Sequence, residues 1–140
     1  MKDDKIKYLE FIQNVITRMA NNSFLLKGWS VTLVAALFAM ESKDKNLGFA
    51  FLVFIPIGCF WILDAYFLSL EKQFRELFKK AVSDSTDPPT FDMNPAPYNA
   101  EENTWAACLV NTSLAWFHGS LLSLALILIA LLTGFGACKG

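Results

Sequence analysis

Residues Ser23 to Met40, Leu47 to Leu70 and Ala115 to Phe135 form three apolar blocks. As helices rising about 1.5 Å per residue, each is long enough to cross the ~30 Å hydrocarbon layer of a bilayer. A chain of 140 residues carrying three such blocks has no room for a soluble domain with a large core of its own. The expected fold class is an all-α membrane protein: three transmembrane helices with cytosolic helical extensions, assembling as a symmetric homo-oligomer. Composition agrees, because a chain that is 54% hydrophobic and still 18% charged must segregate the two kinds of residue along its length.

Orientation follows from the positive-inside rule. Lys2, Lys5, Lys7 and Arg18 precede the first block, and Lys72, Arg75, Lys79 and Lys80 follow the second. The loop Glu41 to Asn46 holds Lys43 and Lys45, and the tail holds Lys139. This places the N-terminus and the segment from Glu71 to Thr104 in the cytoplasm, and the loop Glu41 to Asn46 and the C-terminal tail outside. Trp29, Trp61, Trp105 and Trp116 fall toward the same cytoplasmic face, as an aromatic belt would place some of them. The polar stretch before the first block is too long for the n-region of a cleavable signal peptide, and Lys27 interrupts the block's start. The expected segments are a cytosolic amphipathic helix (1–22), a hairpin of two spans (23–40 and 47–70), a cytosolic helix (71–83), a Pro-rich connection (84–103), and a third span with a short tail (104–140).

Wound at 100° per residue, Tyr8, Leu9, Ile12, Val15, Ile16 and Met19 share one face of the N-terminal stretch, so one helix from about Asp4 to Met40 is expected. Leu70, Phe74, Leu77, Phe78 and Ala81 recur at helical spacing beyond the second block. Both extensions leave the membrane on one side and can close an apolar seam as a stalk. Pro56, with Gly58 after it, is expected to kink the second block. Prolines and Asx residues between Ser83 and Asn103 predict an irregular connection. A third helix is expected to start near Ala100 and run unbroken to about Phe135.

Two ionisable residues, Lys27 and Asp64, lie inside the apolar blocks at similar depth on antiparallel helices, about one turn apart. They can pair, within or between subunits, or Lys27 can snorkel to the headgroups while Asp64 meets water. Snorkelling leads for Lys27, and a buried partner or a wet cavity for Asp64. Thr112, Gly119, Ser120 and Ser123 belong to a stripe of small and hydroxylated residues on the third block, continued by Ala130, Thr133 and Gly134. Such a face favours close helix packing over a pore lining, though in a symmetric oligomer it can serve as either. His118 is expected on the far side with Asn111, as a hydrogen-bonded structural residue.

The basic set Arg18, Lys72, Arg75, Lys79 and Lys80 satisfies topology and attracts anionic lipid. Repeated around a symmetric assembly it could also hold phosphate, with Phe91 or Tyr98 stacking on bases. A net charge of -1 argues against bulk attraction to nucleic acid. No GxSxG, HExxH or P-loop motif occurs, so no catalytic residue, cofactor or metal is expected. Cys59, Cys108 and Cys138 have no metal spacing, and Cys138 alone is expected to be reactive. The Asn21-Asn22-Ser23 match to a glycosylation acceptor falls at the cytoplasmic face, where that modification does not occur.

The run Lys7 to Met40, KYLEFIQNVITRMANNSFLLKGWSVTLVAALFAM, resembles the N-terminal region of small multi-pass bacterial membrane proteins, including membrane effectors of anti-phage systems such as Hailong. That resemblance implies a nucleotidyltransferase partner, encoded nearby, that makes a nucleotide signal. It also implies a membrane protein that answers by opening a channel and depolarising the infected cell. The expected function is therefore an oligomeric ligand-gated channel, a tetramer by expectation, activated by an anionic nucleotide or short single-stranded oligonucleotide. Two alternatives remain open: a membrane-anchored subunit that recruits a cytosolic partner without conduction, and a holin-like or toxin-like permeabilising protein.

Overall fold

The computed structural model describes residues 2–44, 47–84 and 91–137. Lys45, the Pro88 and Pro89 pair, Cys138 and Lys139 lie outside the described residues. Every regular element among those described is helical: α1 (Lys2–Asp44), α2 (Leu47–Leu52), α3 (Phe54–Ser83), two 3₁₀ turns (Ala96–Tyr98 and Glu101–Asn103), α4 (Trp105–Leu109) and α5 (Thr112–Ala137). Three helical stretches are long and apolar enough to cross a membrane: Lys2–Glu41, Ala50–Ser83 and Thr112–Gly134.

α1 is one uninterrupted helix of 43 residues. No proline breaks it, Gly28 stands in open space, and Asp3 and Asp4 favour the positive end of its dipole. It continues through Glu41 to Asp44, so the expected loop from Glu41 is shorter than the apolar pattern suggested.

The second block breaks where Pro56 demands. Proline has no N–H to offer the Leu52 carbonyl and its ring crowds that group, so regular bonding lapses at Val53, between α2 and α3. The next bond, from the Ile57 amide to the Val53 carbonyl, is stretched to 3.4 Å. Val53 itself stays in helical dihedrals.

The third helix departs from expectation. Instead of one rod from Ala100, a 3₁₀ turn and the short α4 precede a break at Val110 and Asn111. The cause is local capping. Thr104 accepts the Ala107 amide at 3.3 Å and starts α4, and Asn111 accepts the Ser113 amide at 3.1 Å through its side chain and the Ala115 amide through its carbonyl. Asn111 thus starts a new helix rather than continuing the old one.

α1 packs most extensively on α3, and α5 lies against α3 and α2. The core has three tiers. In the stalk, Tyr8, Ile12 and Ile16 of α1 meet Leu77 and Ala81 of α3, with Leu9, Phe74, Phe78 and Tyr98 around them, along the seam the periodicity predicts. Ala65, Cys108 and Leu114 form a middle tier with Trp61, Leu68 and Leu109. The tier farthest from the stalk joins Val34, Ala50, Val53, Ile57, Leu121, Ala125 and Ile129.

Within the described residues, both ends of the connection are bonded to the stalk. Ser69 donates to the Asn103 carbonyl at 2.5 Å, buried Gln73 donates to Ser69 at 2.9 Å, Lys5 reaches the Asp84 carbonyl at 2.6 Å, and the Tyr8 hydroxyl bonds the Asp92 carbonyl.

Candidate functional site

A polar knot sits between the middle and far tiers. Asp64 of α3 is fully buried and accepts three groups. One oxygen takes the Ser23 hydroxyl, and the other takes Lys27 Nζ at 2.5 Å and His118 Nε2 at 3.0 Å. Lys27 also donates to Ser23 Oγ at 2.8 Å, which closes a ring of Ser23, Lys27 and Asp64. Three long helices each contribute, and spacing explains how: Ser23 and Lys27 are one turn apart on α1, so both face α3.

A charge held away from water is costly when unpaired, and the knot gives Lys27 and Asp64 each a partner. Lys27 therefore pairs within the subunit instead of snorkelling, and its side chain is only 22% exposed. Its ammonium also lies 5.9 Å from the centre of the Phe117 ring, a further favourable contact for a cation.

His118 lies on the side of α5 away from the small-residue stripe, as expected. It is buried there, bonded to Asp64 and stacked on Trp61 at 5.7 Å. Its other nitrogen, Nδ1, is buried without a hydrogen-bond partner, as is the hydroxyl of Ser30, one turn beyond Lys27. The sequence carried one usable signal for this residue, since it is the chain's sole histidine. Ser23 carried another in its four-residue spacing from Lys27.

The five basic residues do not form one patch. Lys72, Arg75 and Lys79 line a hollow across the α1 and α3 seam with Gln13, Ile16 and Asn103. Carboxylates already hold two of them: Arg75 meets Glu71 at 2.7 Å and Lys79 meets Glu76 at 2.6 Å, while Lys72 donates to the Glu102 carbonyl at 3.1 Å. Arg18 lies instead in a groove with Lys7, Phe11, Phe91 and Met93. Lys80 lines a third hollow beside Tyr8 and Asp92. Of the two aromatics considered for base stacking, Phe91 stands edge-on to Tyr8 at 5.3 Å and Tyr98 packs on the stalk core. Neither lines the hollow of Lys72, Arg75 and Lys79.

The small-residue stripe of α5 faces outward. Leu114, His118, Leu121, Ala125 and Ile129 are buried, whereas Thr112, Ser120, Ser123 and Ala130 are exposed and Gly119 is half-buried. Ser120 and Ser123 donate to carbonyls of their own helix, each at 2.8 Å, so neither leaves an unsatisfied hydroxyl proton on that face. Among the described residues no group of histidine, cysteine and carboxylate side chains could hold a metal ion.

Comparison of the chain with protein-family models, curated proteins and solved structures yields no match in any of the three.

Proposed function

We propose that the chain is the subunit of a homo-oligomeric ion channel in a bacterial inner membrane, and that it acts as an anti-phage effector depolarising the cell in response to a nucleotide signal. One observation carries the channel reading. Leu114, His118, Leu121, Ala125 and Ile129 of α5 are used inside the subunit, while Thr112, Gly119, Ser120 and Ser123 are left outward in a hollow shared with Trp116, Leu124 and Ile127. Three helices packed on one another enclose no water path, so conduction requires copies related by symmetry, with these faces turned to one another or to the axis. The defence role rests on the resemblance of Lys7 to Met40 to effectors of that kind.

Gating belongs to the stalk. The hollow of Lys72, Arg75 and Lys79 includes Gln13 and Ile16 of α1, so an anion held there touches both helices of the seam. Such a ligand opens the channel only to the extent that it binds the open arrangement more tightly. Displacing Glu76 from Lys79 costs little, because both side chains are exposed and pairs of this kind contribute about 0–1 kcal/mol.

Purified protein in planar bilayers, supplied with cyclic and linear oligonucleotides, is the test. Ligand-dependent current that disappears in the Lys72→Ala/Lys79→Ala variant is expected. An undiminished response in that variant overturns the ligand site, and silence of the wild-type chain with every ligand overturns conduction. The second outcome favours a membrane-anchored interaction subunit, a reading with its own support: the groove of Lys7, Arg18, Phe91 and Met93 includes Phe11, which is 64% exposed.

A further inference from the structure

We propose that the groove on the outer side of the stalk, lined by Lys7, Phe11, Asn14 and Arg18 of α1 and by Phe91 and Met93 of the connection, binds a nucleotide, with its base on the phenylalanine rings and its phosphate on Arg18. This site is separate from the hollow of Lys72, Arg75 and Lys79. At 100° per residue, Phe11 and Arg18 fall on one side of the buried row of Ile12 and Ile16, and Gln13, which lines the other hollow, falls on the opposite side.

Spacing assembles the helical wall. Lys7, Phe11, Asn14 and Arg18 follow one another at intervals of four, three and four residues, so they share one face. All four are exposed, Phe11 by 64%, and Phe91 opposite them is 49% exposed. The second wall is fixed in advance. Phe91 stands edge-on to Tyr8 at 5.3 Å, and the Tyr8 hydroxyl donates to the carbonyl of Asp92, the next residue along. A ligand therefore meets two rings already in place, which lowers the entropy it must give up to bind.

Charge sets the direction of the ligand. Arg75 and Lys79 are held by carboxylates, whereas Arg18 pairs with no acid among the described residues. Asp4 lines the Lys7 end of the groove, so the positive end is that of Arg18. A guanidinium offers a phosphate two parallel N–H donors. Arg18 lies seven residues from Phe11, about 10 Å of helix, a gap its long side chain shortens. Asn14 stands between the two, and its amide carries both a donor and an acceptor, as the edge of a base does.

Size and height narrow the occupant. The groove encloses about 540 Å³, within the range of small-molecule sites, about 300–1,000 Å³. Phe11 lies twelve residues before Ser23, where the apolar block begins, about 18 Å along the uninterrupted α1. An acyl chain does not climb so far out of the bilayer, so the occupant comes from water. A groove of this kind takes a flat ring joined to an anion; that the anion is a nucleotide phosphate rests on the signalling role proposed above.

Equilibrium dialysis of labelled adenosine 5′-monophosphate against the full chain in phosphatidylcholine nanodiscs tests the site, with Lys72→Ala/Lys79→Ala as the parent so that the other hollow is silent. Saturable binding is expected. Phe11→Ala is expected to weaken it about fivefold or more, the low end for a base stacked on an aromatic side chain, and Arg18→Gln about tenfold or more, as for a lost charged hydrogen bond. Ribose 5-phosphate, which lacks the ring, and adenosine, which lacks the anion, are each expected to compete more weakly than the nucleotide. Absence of binding in the parent, either variant binding as tightly as the parent, or ribose 5-phosphate competing as well as the nucleotide overturns the proposal. Loss of binding when phosphatidylglycerol is added to the nanodiscs shows that lipid headgroups occupy Arg18, and overturns it too. Dialysis involves no current, so an empty groove leaves the channel reading standing, and a silent channel leaves a filled groove standing.

Discussion

Asp64 decides more than any other single residue, because three side chains from two other helices depend on it. Replacing it with alanine leaves Lys27 without its counter-charge and the buried Nε2–H of His118 without an acceptor. Removing one member of a buried pair costs about 3–5 kcal/mol, far more than replacing both with apolar groups. Lys27→Met is the milder change, since Asp64 keeps Ser23 and His118 as donors. The expected order of destabilisation in a denaturant titration of detergent-solubilised protein is Asp64→Ala, then the Asp64→Leu/Lys27→Met double variant, which relieves the unpaired lysine but still leaves His118 without its acceptor, then Lys27→Met. A double variant no more stable than Asp64→Ala would refute the pairing. The chain's own pattern exposed half of this knot. Lys27 and Asp64 stand out as charges in apolar blocks, and depth alone brings them level. His118 was expected to be hydrogen-bonded, but its partner Asp64 did not stand out, because the contact depends on how α5 is rotated against α3, and that angle is set by packing of Leu114, Leu121 and Ala125 rather than by any local motif.

Among the elements, α1 does two jobs with one continuous rod about 64 Å long, roughly twice the hydrocarbon thickness. Inside the bilayer its packing relies on van der Waals contact and the knot, since lipid is as apolar as leucine. In the stalk, water is excluded and burial itself stabilises. Ile12 is 0% exposed there, so Ile12→Ala is expected to cost about 2–5 kcal/mol, confined to the stalk. Hydrogen exchange should accelerate in the amides from Phe74 to Ala81 and stay unchanged from Ile57 to Asp64; equal acceleration in both would show that stalk and membrane segments open as one unit. The seam was readable because strict helical spacing of Tyr8, Ile12, Ile16, Phe74, Leu77 and Ala81 survives into the structure. The interruption before Pro56 was readable for the same kind of reason, a local covalent one. The break at Asn111 was not, since asparagine within a helical pattern is a weak signal, and only the bonds to Ser113 and Ala115 turn it into a cap.

At the scale of the whole molecule the question is which surface faces another copy. α5 offers a direct comparison on a single helix. Ser120 lies on the exposed, small-residue side, and Ala125, five residues on, is 0% exposed and packed in the far tier. A disulfide requires Cα atoms within about 7 Å, so a cysteine reports contact between copies only when its face is shared. In a background with Cys59 and Cys138 changed to serine and Cys108 to alanine, Ser120→Cys is expected to give a covalent dimer on mild oxidation in native membranes, and Ala125→Cys to give none. Trp116, 75% exposed on the same side, sets the limit on approach: its ring blocks two helices at its own level, so Trp116→Ala should increase the dimer yield of Ser120→Cys without creating one for Ala125→Cys. If Ser120→Cys stays monomeric while a cysteine at exposed Phe24 of α1 crosslinks, the subunits meet through α1, the α5 stripe faces lipid, and a pore lined by Thr112, Ser120 and Ser123 is ruled out.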